Sequence, residues 1–199
     1  MAAEPVSEER YNMVQYIEKL VIIMAAALPL YLAFRFMQVK KRACGCGRTL
    51  AREIALGCFI LFHTGLLVLA LEGEYGSPAQ MAERAVERIK TGTGINLVPF
   101  RTIAAFFQHF IMDVFLVNIV GNIIMFMPWG FGIVMLWEKN RNLSSIAGYS
   151  LLLPLFIETS QFFIGRSVDV DDLILNFTGS CIGAGIYFLM KKVAKLFQK

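Results

Sequence analysis

Charged residues are scarce in this sequence. Asp, Glu, Lys and Arg make up 17% of its 199 residues, whereas hydrophobic residues make up 57%. A soluble domain has roughly 25% charged and about 45–50% apolar residues. This composition argues against a soluble enzyme, a disordered tail and a nucleic-acid-binding domain, because the surplus of apolar residues has to face lipid. We therefore expect the lipid bilayer as a partner and no nucleic acid.

Cysteines and catalytic motifs are also few. Four cysteines do not form a disulfide framework in a chain of this length. Cys44 and Cys46 form a C-x-C motif in a basic loop, which is a weak metal-binding signal, and Cys58 and Cys181 lie in apolar stretches. The sequence contains no G-x-S-x-G, no H-E-x-x-H and no Walker loop. We expect neither a cofactor nor a bound metal.

Long apolar stretches dominate what is present. A helix needs about 20 apolar residues to cross a bilayer, and five stretches are long enough: 20–39, 54–71, 114–137, 145–164 and 173–190. Their apolar residues do not alternate, which favours helices over barrel strands. The sequence therefore predicts an all-α, polytopic transmembrane helix bundle of about five spans in the cell membrane.

The same stretches predict how the chain is organised. We expect residues 1–199 to form a single integral membrane domain. Its parts are the first two spans at 1–71, an outer segment at 72–112, a core of three spans at 113–190 and a basic cytoplasmic tail at 191–199.

Basic residues are concentrated at one set of span ends, in loops 40–52 and 138–143 and in the C-terminal tail. Acidic residues are concentrated at the opposite ends. Because Lys and Arg are enriched in cytoplasmic loops, this distribution predicts an N-terminus outside and a C-terminus inside. The net charge of +4 then reflects topology.

The outer segment contains two amphipathic stretches. Ser77 is suited to cap a short helix and Pro78 to begin it. After a flexible TGTG sequence, apolar residues recur at helical spacing from Phe100 to Met112. This second stretch could lie in the membrane interface or re-enter the membrane, and the sequence does not distinguish the two.

Polar residues occur inside or at the ends of spans three, four and five, where they are costly and tend to face the bundle interior or a wet cavity. They are Asn118, Asn122, Glu158, Gln161, Arg166, Asp169, Asp172 and Asn176. Their spacings of three and four residues place those of each span on one helix face. In the predicted orientation all of them lie in the outer leaflet. We therefore predict that the three spans are neighbours around an outward-open polar pocket, with Glu158 and Arg166 near enough to pair.

Packing roles are the alternative for the same residues. The asparagines could join helices, Glu158 and Arg166 could form a structural ion pair, and Asp169, Asp171 and Asp172 could favour a helix N-terminus. Gly179 and Gly183 form a G-x-x-x-G motif, for which we expect packing within the chain rather than dimerisation.

The polar residues also belong to a recognisable pattern. The sequences NLVPFRTI (96–103), NIVGNIIMFMPWG (118–130) and IETSQFFIGRSVDVDDLILNFTGSCIG (157–183) together resemble the VanZ-like membrane protein family. The motif residues of that family fall on Asn96, Pro99, Phe100, Asn118, Asn122, Pro128, Gly130, Glu158, Gln161, Arg166, Asp169, Asp172, Asn176 and Gly179. The resemblance implies an integral membrane protein of the bacterial envelope. It also suggests a link to teicoplanin, because the namesake of the family is associated with low-level resistance to that lipoglycopeptide; it implies no reaction.

Three functions are consistent with these features. The first is binding or transport of an amphiphile: a lipoglycopeptide, a cell-wall lipid intermediate or a phospholipid headgroup. The second is an intramembrane enzyme in which Glu158 and Asp172 act as base and acid and Arg166 steadies a phosphate, or in which Glu158, Asp169 and Asp172 hold Mg²⁺ or Mn²⁺. The third is a structural accessory subunit.

Overall fold

The computed structural model describes residues 5–41, 50–72, 76–108 and 112–197, and the prediction of an all-α fold is confirmed. The helices are α1 (Pro5–Lys41), α2 (Leu50–Ala70), α3 (Pro78–Thr91), α4 (Arg101–Gln108), α5 (Met112–Phe115), α6 (Gly121–Leu136), α7 (Leu143–Phe163) and α8 (Val170–Leu196). A π-helical segment (Leu116–Val120) joins α5 to α6, and a 3₁₀ turn (Glu138–Asn140) follows α6. Two short strands, β1 (Ile95–Asn96) and β2 (Val168–Asp169), complete the structure.

Five helical segments are long and apolar enough to cross a membrane, as the sequence predicts. They are Glu18–Met37, Leu50–Ala70, Asn118–Leu136, Leu143–Phe163 and Val170–Leu196. The prediction of five spans is therefore confirmed, whereas the N-out, C-in orientation remains a prediction.

The chain forms two compact units, Met1–Ala70 and Leu71–Lys199. The first is a hairpin of α1 and α2. Its helices are joined by Arg35, whose Nε and Nη2 each donate a hydrogen bond of 2.7 Å to the carboxylate of Glu53. Gly57 lies against the ring of Tyr31, where a Cβ would approach the ring to 3.2 Å. Side chains thus make the contacts between these two helices.

In the second unit, α6, α7 and α8 pack on one another, so the predicted neighbourhood of spans three, four and five is confirmed. The contact between α6 and α8 is made by backbone atoms. A Cβ added at Gly179 would overlap the carbonyl of Ile123, and a Cβ at Gly183 would overlap the carbonyl of Met127. The G-x-x-x-G motif therefore serves packing within the chain, as expected, because small residues allow helix backbones to approach closely.

Span three is not the continuous α-helix that the sequence predicts over 114–137. A π-helical segment interrupts it, and the amide of Gly121 donates to the carbonyl of Leu116, five residues earlier. A π-helix has a wider turn than an α-helix, so the α-helical spacing rule does not hold across it. Asn118 lies in this segment and is exposed, whereas Asn122 follows it and is half-buried; that the two share one face remains a prediction.

The segment before span three folds partly as predicted. Ser77 caps α3 through reciprocal hydrogen bonds with Gln80, and Pro78 begins the helix. The two-residue parallel pairing of β1 with β2 was not predicted; it sets Ile95 opposite Val168 and Asn96 opposite Asp169. This pairing holds the start of the NLVPFRTI sequence beside the start of α8.

Candidate functional site

Polar side chains from α6, α7 and α8 lie together at the end of the bundle where α7 ends and α8 begins. We call Asn122, Glu158, Asp172 and Asn176 the polar cluster. Asn122 Nδ2 on α6 donates a hydrogen bond of 2.8 Å to Asp172 Oδ1 on α8. Asp172 and Asn176 follow one another by four residues, so they lie on one face of α8.

Glu158 contributes a carboxylate from α7, and only 5% of the residue is exposed. Among the described residues, its hydrogen bond comes from the backbone amide of Asp169, which lies 3.4 Å from Oε2. The carboxylates of Asp172 and Asp169 are close enough to repel it electrostatically. A buried carboxylate normally has strong hydrogen-bond donors around it, and Glu158 has one long bond.

Asn176 is buried one turn deeper along α8. Its Oδ1 atom is buried and has no hydrogen-bond partner among the described residues. Asp172 is half-buried, and its described side-chain hydrogen bond is the one that it accepts from Asn122. The polar cluster therefore has more buried acceptors than donors.

Asp169 has a different environment. Its Oδ1 accepts hydrogen bonds from Asn96 Nδ2 at 2.9 Å and from the amide of Asp171 at 2.8 Å, and its Oδ2 accepts from the hydroxyl of Thr102 at 2.5 Å. Protein donors thus already occupy both oxygens. The carboxylate caps α8 and connects it to the segment that precedes α4.

Asp171 is a structural residue that the sequence analysis did not select for the site. It is completely buried, and its carboxylate accepts hydrogen bonds from the backbone amides of Phe100, Thr102 and Ile103 at 2.5, 2.7 and 3.0 Å. Amides in the first turn of a helix lack partners within that helix. Asp171 thus supplies the acceptor for the first turn of α4 from a distant part of the chain.

Arg88 on α3 is a second residue that the analysis missed. Its guanidinium donates to the carbonyls of Phe162 at 2.7 Å, Gly94 at 3.0 Å and Arg166 at 2.6 Å. It also lies over the ring of Phe162, 5.1 Å from the centroid. Arg88 therefore fixes the loop between α7 and α8, from which Asp169 reaches Glu158. An arginine on a short amphipathic helix gave no sequence signal for this role.

The remaining predicted site residues lie at the edge of the polar cluster or outside it. Arg166 is exposed and donates from Nη1 to the carbonyl of Glu72 at 3.4 Å. It acts on Glu158 electrostatically, and no direct bond between the two is found among the described contacts. Gln161 is half-buried one turn beyond Glu158. Asn118 lies in the π-helical segment, and Asp172 bonds to Asn122 rather than to it.

Other features lie away from the polar cluster. In the described part of the chain, no three His, Cys, Asp or Glu side chains are arranged to hold a metal ion. A narrow crevice lies between α6 and α7, lined by Gly130, Ile133, Val134, Ile146, Tyr149 and Ser150. Cys44 and Cys46 lie outside the described residues, and Cys58 and Cys181 are free thiols.

The family model for VanZ/LLP1 matches residues 56–191, about two thirds of the chain. The chain belongs to the VanZ/LLP1 family. The matched region includes the whole polar cluster, and also Asp169 and Asp171, which accept hydrogen bonds from residues 96–103. It also extends into α2, which carries none of the motifs by which the sequence resembles the family. No curated protein and no solved structure matches the chain significantly.

Proposed function

We propose that this VanZ-family membrane protein binds the ammonium group of an amphiphile at the polar cluster. The observation that carries the proposal is the surplus of acceptors, namely the buried Glu158 carboxylate, the second oxygen of half-buried Asp172 and the buried, unpartnered Oδ1 of Asn176. An ammonium group has three donors and no acceptor, and it is therefore complementary to such a set.

Electrostatics support the same ligand class. Carboxylates from two helices lie near one another in a desolvated region, and burying unpaired charge is costly. A bound cation would offset both the desolvation and the repulsion between Glu158 and Asp172. Exposed Arg166 at the edge of the cluster is suited to an anionic group on the same ligand, such as a phosphate or a carboxylate.

The position of the polar cluster favours an amphiphile over a small soluble cation. Glu158 lies near the last turn of α7 and Asp172 in the first turn of α8, both of which are membrane-spanning helices. A ligand with its head group here has its apolar part beside the exposed apolar side chains of these helices, such as Phe156 and Phe163. Three ligands are of this type: a lipoglycopeptide such as teicoplanin, a cell-wall lipid intermediate and an amine-bearing phospholipid.

Binding to the purified protein in nanodiscs tests the proposal. We expect phosphatidylethanolamine to bind more tightly than phosphatidylglycerol, with teicoplanin as a separate arm. Glu158→Gln and Asp172→Asn should each weaken binding at least about tenfold, because a desolvated charge pair contributes more than 1.4 kcal/mol. Ile124→Ala on the exposed side of α6 is the matched control. Equal binding of the two lipids, or unchanged binding by both variants, would contradict the proposal.

The same experiment separates the alternative functions. Chemical conversion of a bound lipid-linked substrate would favour an intramembrane enzyme. Full tolerance of substitutions throughout the polar cluster would favour a structural subunit.

We further propose that the polar cluster opens to the outside of the cell, as the charge distribution indicates. In intact cells, a membrane-impermeant maleimide should fail to label Cys44 and Cys46, whereas permeabilised cells should be labelled. A variant that lacks Cys58 and Cys181 keeps the signal specific to this loop. Labelling of Cys44 or Cys46 in intact cells would show that the orientation is the opposite of the proposed one.

A further inference from the structure

Four apolar side chains stand exposed on the segment that leads into and along α4. Leu97 is 70% exposed, Val98 56%, and Phe100 and Phe107 are each 61% exposed. We call these four residues the apolar ridge. These residues lie outside the five candidate spans, so a membrane-spanning position does not account for their exposure, and they indicate a separate interaction surface.

The backbone of the apolar ridge is held in a costly conformation. Phe100 has a φ of 65°, in the left-handed region that bulky residues rarely adopt. Such a conformation persists only when surrounding structure imposes it. Here the imposing group is the buried carboxylate of Asp171, which accepts the amide of Phe100 as well as those of Thr102 and Ile103. The completely buried carboxylate of Asp171 thus holds the backbone of Phe100 in a conformation that leaves its side chain exposed.

The hydrogen bonds that Asp169 and Asp171 accept from residues 96–103, which we call the tether, also fix where the apolar ridge lies. Asp171 and Asp169 belong to the start of α8, so the ridge is attached to the end of a membrane-spanning helix. After α4 the chain continues into span three, and the ring of Phe107 packs 5.5 Å from that of Phe115 at its start. The apolar ridge therefore lies beside the start of α8 and beside α5, which leads into span three.

The length of α4 favours an interfacial position over a re-entrant one. Its eight residues span about 12 Å, less than half of the roughly 30 Å hydrocarbon core. A helix this short, attached at its first turn to the end of α8, does not descend into the core and return. Interfacial helices bury their apolar face about 5–10 Å into the boundary between head groups and acyl chains.

We propose that the apolar ridge inserts into the phospholipid interface on the side of the membrane where the polar cluster lies, with exposed Arg101 beside the lipid phosphates. The partner is the bilayer itself. The inference does not depend on the proposed ligand, because the tether, the exposed side chains and the helix length carry it independently.

Tryptophan quenching by lipids with brominated acyl chains tests the inference. Phe100→Trp and Phe107→Trp each place a reporter on the apolar ridge, and Glu83→Trp places one on the exposed polar face of α3 as a control. Each variant is reconstituted in brominated and in ordinary lipid, with the wild-type protein measured in parallel to account for Trp129 and Trp137. We expect the quenching due to the added Trp to be at least about twofold larger for the two ridge variants than for the control, given a depth of insertion of several ångströms.

Two outcomes would overturn the inference. One is quenching of both ridge variants no greater than that of Glu83→Trp. The other is quenching of the ridge variants that rises only when the protein is diluted into excess lipid. That result would mean that a second copy of the chain, rather than lipid, covers the apolar ridge. Because Phe→Trp is a conservative change at an exposed site, circular dichroism of each variant should match the wild-type protein and exclude misfolding.

Discussion

The α1–α2 hairpin and the α6–α8 bundle are both built from apolar helices, yet different contacts hold them together. In the hairpin, a bidentate ion pair between Arg35 and Glu53 joins the helices, and glycines meet flexible side chains. In the bundle, glycines meet backbone: Gly130 faces the carbonyl of Ser180, and Gly183 faces that of Met127. The bundle also has hydrogen bonds between helices, such as that from Trp129 Nε1 to the carbonyl of Tyr149 at 2.7 Å.

This difference shows what a site between helices requires. Contact between backbones leaves little freedom for the helices to shift, because main-chain atoms cannot change rotamer. The bundle can therefore hold Asn176 with incomplete hydrogen bonding, since the close contact at Gly179 and Gly183 fixes α8 against α6. A hairpin joined by long side chains adapts more easily. It is therefore a poorer scaffold for a buried polar group that lacks hydrogen-bond partners.

The largest effect is expected where backbone meets backbone. Gly183→Leu should destabilise the bundle by about 3 kcal/mol or more, because the new side chain cannot displace the carbonyl of Met127. Gly185→Leu, two residues further along α8, is the control, since a Cβ there meets nothing within 4 Å. Thermal unfolding in detergent compares the two variants. Similar melting temperatures would show that the close contact does not hold the bundle together.

Asp171 and Asp172 offer the next comparison, because they are adjacent and chemically identical. Asp171→Asn replaces an acceptor of three amides with a group that also carries donors, and it should cost about 2–3 kcal/mol. Asp172→Asn keeps an oxygen for Asn122 and should leave stability within about 0.5 kcal/mol. Denaturant titration of both variants measures the difference. Equal losses would mean that Asp171 does not act as the tether.

The ion pair of the hairpin should matter less. A double-mutant cycle with Arg35→Met, Glu53→Gln and the double variant should give a coupling of about 1 kcal/mol, because both side chains remain partly exposed to solvent in the chain alone. Unfolding in mixed detergent micelles measures all three variants. A coupling as large as the loss at Gly183 would remove the contrast between the two units.

The smallest expected effect separates the two asparagines of span three. Asn122→Ala should lower stability by about 0.6 kcal/mol more than Asn118→Ala, since hydrogen bonds between membrane helices are typically of this size. The bond from Asn122 to Asp172 joins α6 to α8, whereas Asn118 is on the exposed side of the π-helical segment. The same thermal assay resolves the difference when both variants are measured side by side. A larger loss at Asn118 would mean that the bond from Asn122 to Asp172 does not stabilise the contact between α6 and α8.

Sequence reasoning predicted the spans from the length of the apolar stretches. It predicted the proximity of Asn122, Asp172 and Glu158 because a polar group without a partner in lipid is costly. It missed the role of Asp171 because an acidic residue at a helix start has an adequate local explanation, favouring the helix dipole. It missed Arg88 because the acceptors of that side chain are main-chain carbonyls, which every residue possesses. It missed the π-helical segment because nothing in LVNIV distinguishes a π-helical turn from an α-helical one.

The sequence by itself therefore determined composition-level and periodic properties: membrane insertion, five spans, the capped start of α3 and the close-packing glycines of α8. Each depends on residues near one another along the chain. Only the tertiary structure decided which polar side chains of the second unit have enough hydrogen-bond donors around them and which do not. Asp169 and Asp171 are saturated by donors from residues 96–103, some 70 positions earlier, whereas Glu158 and Asn176 lack comparable donors. The number of donors around a buried carboxylate depends on which distant backbone lies beside it, and local spacing carries no information about that.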